Sequence, residues 1–260
     1  AGSERLMMSV EIFPSLMEMS EAAARLFTAR ATEAVSLRGR FTAALSGGKT
    51  PVTLYTLLAK APFVAEIPWA RVHLFWVDER CVPPDHEDSN YRMVRERLLD
   101  HVPIPPANVH RMQGEMDPVE AAARYEEGMR QYFTSSKSSG GAFPVFDLVL
   151  LGLGADGHTA SLFPGTRAIR ESARWVIGHY VDAQKGWRIT LTPPVINAAR
   201  TVVFIVAGTG KSPVLRDILE GPFLPDVLPA QIVRPEAGEL LWMLDRDSAA
   251  QLKEKGKSGP

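Results

Sequence analysis

Leu148-Val149-Leu150-Leu151-Gly152-Leu153-Gly154-Ala155-Asp156-Gly157-His158 is a short apolar run that breaks into a glycine-rich turn and ends on a histidine. A run that is apolar without alternation suits a strand covered on both faces, and such strands belong to parallel sheets connected by helices. Working outward, the strand opens at Phe146, and similar runs recur at Phe41 to Leu45, Val72 to Val77, Thr201 to Ala207 and Leu240 to Leu244. Amphipathic stretches separate them. The alternation predicts an α/β fold, a mainly parallel Rossmann-like sheet with helices on both faces. At 260 residues, one domain over 1–260 is expected, with 1–5 and 253–260 frayed.

The helices carry clear punctuation. A long one from about Ser20 to Leu37 stops at Gly39, a residue suited to a left-handed helix end. Pro51 after Thr50, Pro118 after Asp117, Pro193 after Thr192 and Pro213 after Ser212 each put proline at a first helical position behind a capping side chain. Ser89 caps a helix over Asn90 to Leu99. The Ser- and Gly-rich stretch Thr134 to Gly141 reads as a flexible surface loop, since it offers nothing apolar to bury.

Composition narrows the function classes. With 29 basic and 30 acidic residues the formal charge is −1, so no global field draws the chain to nucleic acid or an anionic membrane, and an anionic ligand must be captured locally. The longest apolar runs fall far short of a membrane span. Cys81 is the one cysteine, which excludes an internal disulfide framework and a cysteine zinc cluster and fits a reducing, cytoplasmic setting.

In open parallel sheets, ligands bind beyond the carboxyl ends of the strands. There this chain places Ser46-Gly47-Gly48-Lys49-Thr50-Pro51, Asp78-Glu79-Arg80, the Gly152 to His158 turn, and Gly208-Thr209-Gly210-Lys211-Ser212-Pro213. Two of these loops share the form Gly-Lys-Ser/Thr-Pro at a helix start, where backbone N–H groups and the helix dipole favour an anion. Ordinary helix caps with solvated lysines are the bland alternative; two such loops on one edge favour a phosphate site. Neither loop is a Walker A motif, because Ala43 and Ile205 stand where its first glycine belongs.

Gly152 to Gly157 formally matches the dinucleotide fingerprint, but Pro164 cuts off the following helix and no second strand ends on an acidic residue at the required distance. The glycines instead make room for a group close to the backbone, which marks Gly157 as a substrate contact. His158 sits at the mouth of a strand with Asp156 able to orient its ring, and imidazole suits proton removal from water. His73, inside an apolar strand, reads as a satisfied core residue, and His86, His101, His110 and His179 form no spaced metal set with His158. The charged trio Asp78 to Arg80 emerges on the ligand edge, so at least one member, Asp78 among them, is expected to touch the ligand.

Leu45 to Pro51, Trp76 to Arg80 with Ser89-Asn90-Tyr91, Gly152 to Pro164, and Arg188-Ile189-Thr190 together resemble the 6-phosphogluconolactonase family, with its motifs in order from first strand to last. The resemblance implies a fold shared with glucosamine-6-phosphate deaminase and hydrolysis of 6-phospho-D-glucono-1,5-lactone in the oxidative pentose phosphate pathway, with no cofactor and no metal. It implies a small-molecule phosphosugar lactone as the partner, no nucleic acid or membrane, and a monomer or small homo-oligomer. His158 would be the general base. Gly47, Gly48, Thr50, Arg188 and Lys211 would hold the phosphate, with Arg80 near the phosphate or the lactone. The resemblance gives Lys49 no role, and Ser212-Pro213 departs from the small residues expected after the lysine.

Two alternatives stand beside this reading. An amino-sugar phosphate isomerase-deaminase of the same fold would carry an acidic residue a few positions beyond the histidine, and Thr159 to Phe163 supplies none, although Asp78 stays available as a base. A non-catalytic sugar-phosphate sensor would come with a DNA-binding helix-turn-helix, for which the chain has no spare segment.

Overall fold

The computed structural model describes residues 7–134, 142–184, 186–253 and 257–258. Its strands in chain order are β1 (Met7–Phe13), β2 (Phe41–Leu45), β3 (Val72–Trp76), β4 (Asp78–Arg80), β5 (Leu148–Leu151), β6 (Val176–Val181), β7 (Gly186–Leu191), β8 (Thr201–Val206), β9 (Glu239–Asp245) and β10 (Lys257–Ser258). The helices are α1 (Leu16–Arg38), α2 (Pro51–Leu58), α3 (Phe63–Glu66), α4 (Asn90–Arg97), α5 (Pro118–Thr134), α6 (Pro193–Asn197) and α7 (Ser212–Glu220).

A parallel sheet with strand order β10-β1-β9-β8-β5-β2-β3 forms the centre, flanked by helices. Every residue of β2, β5 and β8 is buried, as unbroken apolar runs in a two-sided sheet require. One contiguous apolar core runs from Phe13 to Leu252. No helix among the described residues is long and apolar enough to cross a membrane.

The structure extends the expected elements in four places. The long helix starts at Leu16, capped by the Ser15 hydroxyl accepting from Glu18 N at 3.2 Å, and it ends as expected on left-handed Gly39. β1 was not expected; its Met7-Met8-Ser9-Val10-Glu11 composition hides a strand that pairs in register with β9. In the tail, expected to fray, Lys257 and Ser258 pair with Glu11 and Ile12; residues 1–5 and the loop 135–141 lie outside the described residues. The caps at Asp117 and Ser89 form as expected, whereas Thr50, Thr192 and Ser212 accept no capping bond.

The fourth departure builds the site. Beyond β3, Val77 donates to Leu45 O at 3.0 Å and accepts from Leu191 N at 2.8 Å, so the chain leaves the parallel sheet and enters a small antiparallel one, β4-β7-β6. Helix α5 packs against this small sheet, and its Tyr125 hydroxyl ties back to the main sheet, accepting from Trp76 N at 3.0 Å and donating to His110 O at 2.9 Å. His73 is half-buried on β3 with Nδ1 3.3 Å from His110 Nε2, and burial pushes both rings down to about 4, which keeps them neutral at pH 7.

Candidate active site

The loops behind β2, β3, β5 and β8, four neighbouring strands, close around a cavity of about 420 Å³, within the range of small-ligand sites. Its walls include Gly47, Gly48, Lys49, Thr50, Asp78, Arg80, Asn90, Gly154, His158 and Lys211. Seven of the ten site residues expected from the sequence line it, Gly47, Gly48, Thr50, Asp78, Arg80, His158 and Lys211, and they are joined by three that were given no site role there: Lys49, Asn90 and Gly154.

His158 is held on three sides. Asp156 Oδ1 lies 2.5 Å from its Nδ1 and also accepts from its backbone N at 3.1 Å. A carboxylate only accepts, so Nδ1 carries the proton and Nε2 is the free acceptor. Phe163 stacks on the ring with centroids 4.1 Å apart, and a Cβ at Gly154 would overlap the imidazole, so only glycine leaves it room. Burial works against the ionisation of Asp156, but the hydrogen bond and charge of His158 outweigh it and hold the carboxyl below its ordinary range. Asp156 lies outside the cavity lining and reaches it only through His158.

Gly157 was expected to contact the substrate, and its place in the structure is at the turn. It does not line the cavity, and both of its polar groups are spent within the protein: N donates to Gly154 O at 3.0 Å and O accepts from Ala230 N at 2.9 Å. Glycine is required there because φ is +84° and a Cβ would sit 2.9 Å from Leu228 Cδ2.

Around the mouth the charge is one-sided. Lys49 and Lys211 line the cavity, and the β4–β7 pairing sets Arg80 directly opposite Arg188. Arg80 is steered by a bond to Asp88 O at 2.9 Å, and Arg188 donates to its neighbour Trp187 O at 3.1 Å. Burial, then the charge of Arg80, lowers the Arg188 pKa. Arg188 itself stands behind Arg80, outside the lining. At the start of α2, no backbone N–H of Gly47, Gly48, Lys49 or Thr50 donates within the described residues, and the Thr50 hydroxyl makes no cap bond. Backbone donors and cations in this arrangement are able to hold an anion.

The opposite wall is made of acceptors. The carboxylate of Asp78 is buried, with Oδ2 accepting from Ser161 Oγ at 2.7 Å and Oδ1 3.3 Å from Asn90 Nδ2. Glu79 turns away from the cavity and accepts from Arg80 N, Asn90 N, Tyr91 N and the Ser89 hydroxyl, so the middle of the charged trio is an anchor for α4; burial raises its pKa against those bonds.

Residues 14–242 match the family described as glucosamine-6-phosphate isomerases/6-phosphogluconolactonase. The chain is 43% identical to a 6-phosphogluconolactonase of Synechocystis sp. over 245 residues, 94% of this chain and 98% of that one. Among solved structures, 6-phosphogluconolactonase from Trypanosoma cruzi superposes with a TM-score of 0.84 at 30% identity, covering 98% of this chain and 100% of that one. A monomeric glucosamine-6-phosphate deaminase superposes with a TM-score of 0.78 at 20% identity, covering 94% and 99%, which is a likeness of fold.

Proposed function

This chain belongs to the glucosamine-6-phosphate isomerase/6-phosphogluconolactonase family, and on that premise we propose that it hydrolyses 6-phospho-D-glucono-1,5-lactone to 6-phospho-D-gluconate, with His158 as general base. One observation carries the reading: an imidazole tethered by a carboxylate faces a cavity whose mouth holds cations without carboxylate partners among the described residues.

The lactone is a cyclic ester, so its hydrolysis needs an activated water, donors for the tetrahedral oxyanion, and a proton for the departing ring oxygen. His158 Nε2 takes a proton from water as the oxygen attacks the carbonyl carbon, and Asp156 stabilises the imidazolium that forms. Arg80 or a backbone N–H of the glycine turns bears the developing oxyanion. On collapse the carbonyl–ring oxygen bond breaks and the imidazolium returns its proton to that oxygen. Lys211, Arg188, Thr50 and the glycines of the first loop hold the phosphate, and that remote binding keeps the ring in line for attack.

The deaminase alternative has less support. No acidic residue follows within Thr159 to Phe163, and each carboxylate oxygen of Asp78 is engaged by the wall. A reducing, cytoplasmic setting in the oxidative pentose phosphate pathway completes the reading.

The test is a coupled assay with freshly generated lactone beside glucosamine 6-phosphate. Turnover of the lactone is expected; turnover of the amino sugar alone would overturn the proposal. His158→Ala should lower kcat by about 10²–10⁴-fold with little change in phosphosugar affinity. A variant that kept the wild-type rate above spontaneous hydrolysis would remove His158 from its role.

A further inference from the structure

Asn90 opens α4 with its side chain in the cavity wall and only 4% of the residue exposed. Its Nδ2 donates to Asp78 O at 3.0 Å and lies 3.3 Å from Asp78 Oδ1. Both neighbours are acceptors, so the amide has one orientation: the NH2 group faces Asp78 and Oδ1 faces the other way. There Oδ1 lies against Gly47, where any Cβ would overlap it, and it accepts from no donor among the described residues. The backbone of Asn90 is fixed as well, its N donating to Glu79 Oε1 at 2.7 Å. Asn90 Oδ1 is not among the sealed polar atoms of the described residues, so this fixed acceptor is open to the cavity, where a ligand hydroxyl can donate to it. The cations of the site cannot be that ligand group's partner twice over; they answer a phosphate, while Asn90 asks for an O–H.

We propose that Asn90 is a specificity-determining residue that reads one ring hydroxyl of the substrate, accepting its hydrogen bond at Oδ1 while Asp78 fixes the amide. The inference rests on the lactonase reading above. It gives the site two poles, a donor pole for phosphate and an acceptor pole for a hydroxyl, which together set the sugar ring's rotation over His158. A site built to accept from a hydroxyl discriminates against a substrate that lacks it.

The experiment measures kcat/KM of the wild-type enzyme and of Asn90→Ala on 6-phosphogluconolactone and on its analogues lacking the hydroxyl at C2, C3 or C4. In the wild type one analogue should fall by about 10–100-fold relative to the parent. In Asn90→Ala that one ratio should collapse to near unity while the other two stay as they were. Gly47→Ala, whose new methyl displaces the amide without touching the Asn90 backbone bond, should collapse the same ratio and serves if Asn90→Ala does not fold. Three unchanged ratios in either folded variant, or three ratios shifted together, would overturn the proposal. A wild-type enzyme inert to all four lactones would instead overturn the lactonase reading.

Discussion

The two ends of the parallel sheet both gather cations, and they treat them in opposite ways. At the amino-terminal ends, Arg38 donates to Asp147 Oδ1 at 2.8 and 3.1 Å, Arg200 lies 3.5 Å from the same carboxylate, and Arg30 spans Glu33 at 3.2 Å and Glu239 at 2.6 Å. At the carboxyl-terminal ends, Lys49, Arg80, Arg188 and Lys211 form no ion pair with any carboxylate among the described residues. Both ends are concave, with cavities of about 290 and 420 Å³. Concavity and positive charge therefore do not distinguish a site. What distinguishes it is whether each charge meets its counter-charge inside the protein, because an unanswered cation beside another cation is stabilised by an incoming anion.

The largest effect that would test this contrast is at the saturated end. Asp147 is 7% exposed and also accepts from the Thr42 backbone at 2.8 Å, so Asp147→Ala strands two guanidinium groups and a buried N–H. Loss of one member of a fully buried pair costs about 3–5 kcal/mol; with Arg38 and Arg200 partly in solvent, about 2–3 kcal/mol is expected. Urea unfolding should show that loss while KM for the lactone stays within about twofold, as for a group that only stabilises. A raised KM with unchanged stability would erase the distinction between the two ends.

Next in size is the open end. In the proposed role of Lys211, Lys211→Ala removes a charge-assisted phosphate bond, worth about 1.5–3 kcal/mol, and should raise KM by about 10–100-fold. Because Lys211 has no carboxylate partner to strand among the described residues, the unfolding midpoint should not move. An unchanged KM would take Lys211 out of the phosphate cradle.

The open end was the more legible in the sequence, and the reason is local. Gly47, Gly48, Thr50, Arg80, His158 and Lys211 each follow a recognisable strand within a few residues, so the rule that ligands sit at strand ends places them without any long-range knowledge. The saturated end is invisible to such a rule, since Arg38 and Asp147 meet across 109 residues of chain. The small sheet was missed for a related reason. Asp78-Glu79-Arg80 has the composition of a solvated turn, and it becomes a strand because β7 pairs with it and four donors satisfy Glu79. β6 hides behind Gly178 and His179 in the middle of its run. Asn90 reads in sequence as the first residue after a cap and as part of a motif that gives it no role of its own, because its contact with Asp78 forms only in the fold.

The smallest effect asks whether a shared motif means a shared role. Gly48 to Pro51 and Gly210 to Pro213 are alike in sequence, yet their hydroxyls go different ways. Ser212 is 3% exposed, lies inside α7 behind a 3-10 turn at Thr209–Lys211, and accepts from Gln251 N at 3.0 Å. Thr50 lines the cavity and makes no cap bond, so its hydroxyl is free to bind phosphate. Ser212→Ala should therefore cost about 1 kcal/mol of stability and leave KM alone, whereas Thr50→Ala should raise KM by about 3–10-fold at unchanged stability. Thermal unfolding and steady-state kinetics on the same two variants separate these outcomes. If both variants raised KM alike, the second loop would hold phosphate with its hydroxyl as well as its lysine. If both lost only stability, the phosphate would sit among the lysines and arginines alone, and the contrast between the two loops would reduce to packing.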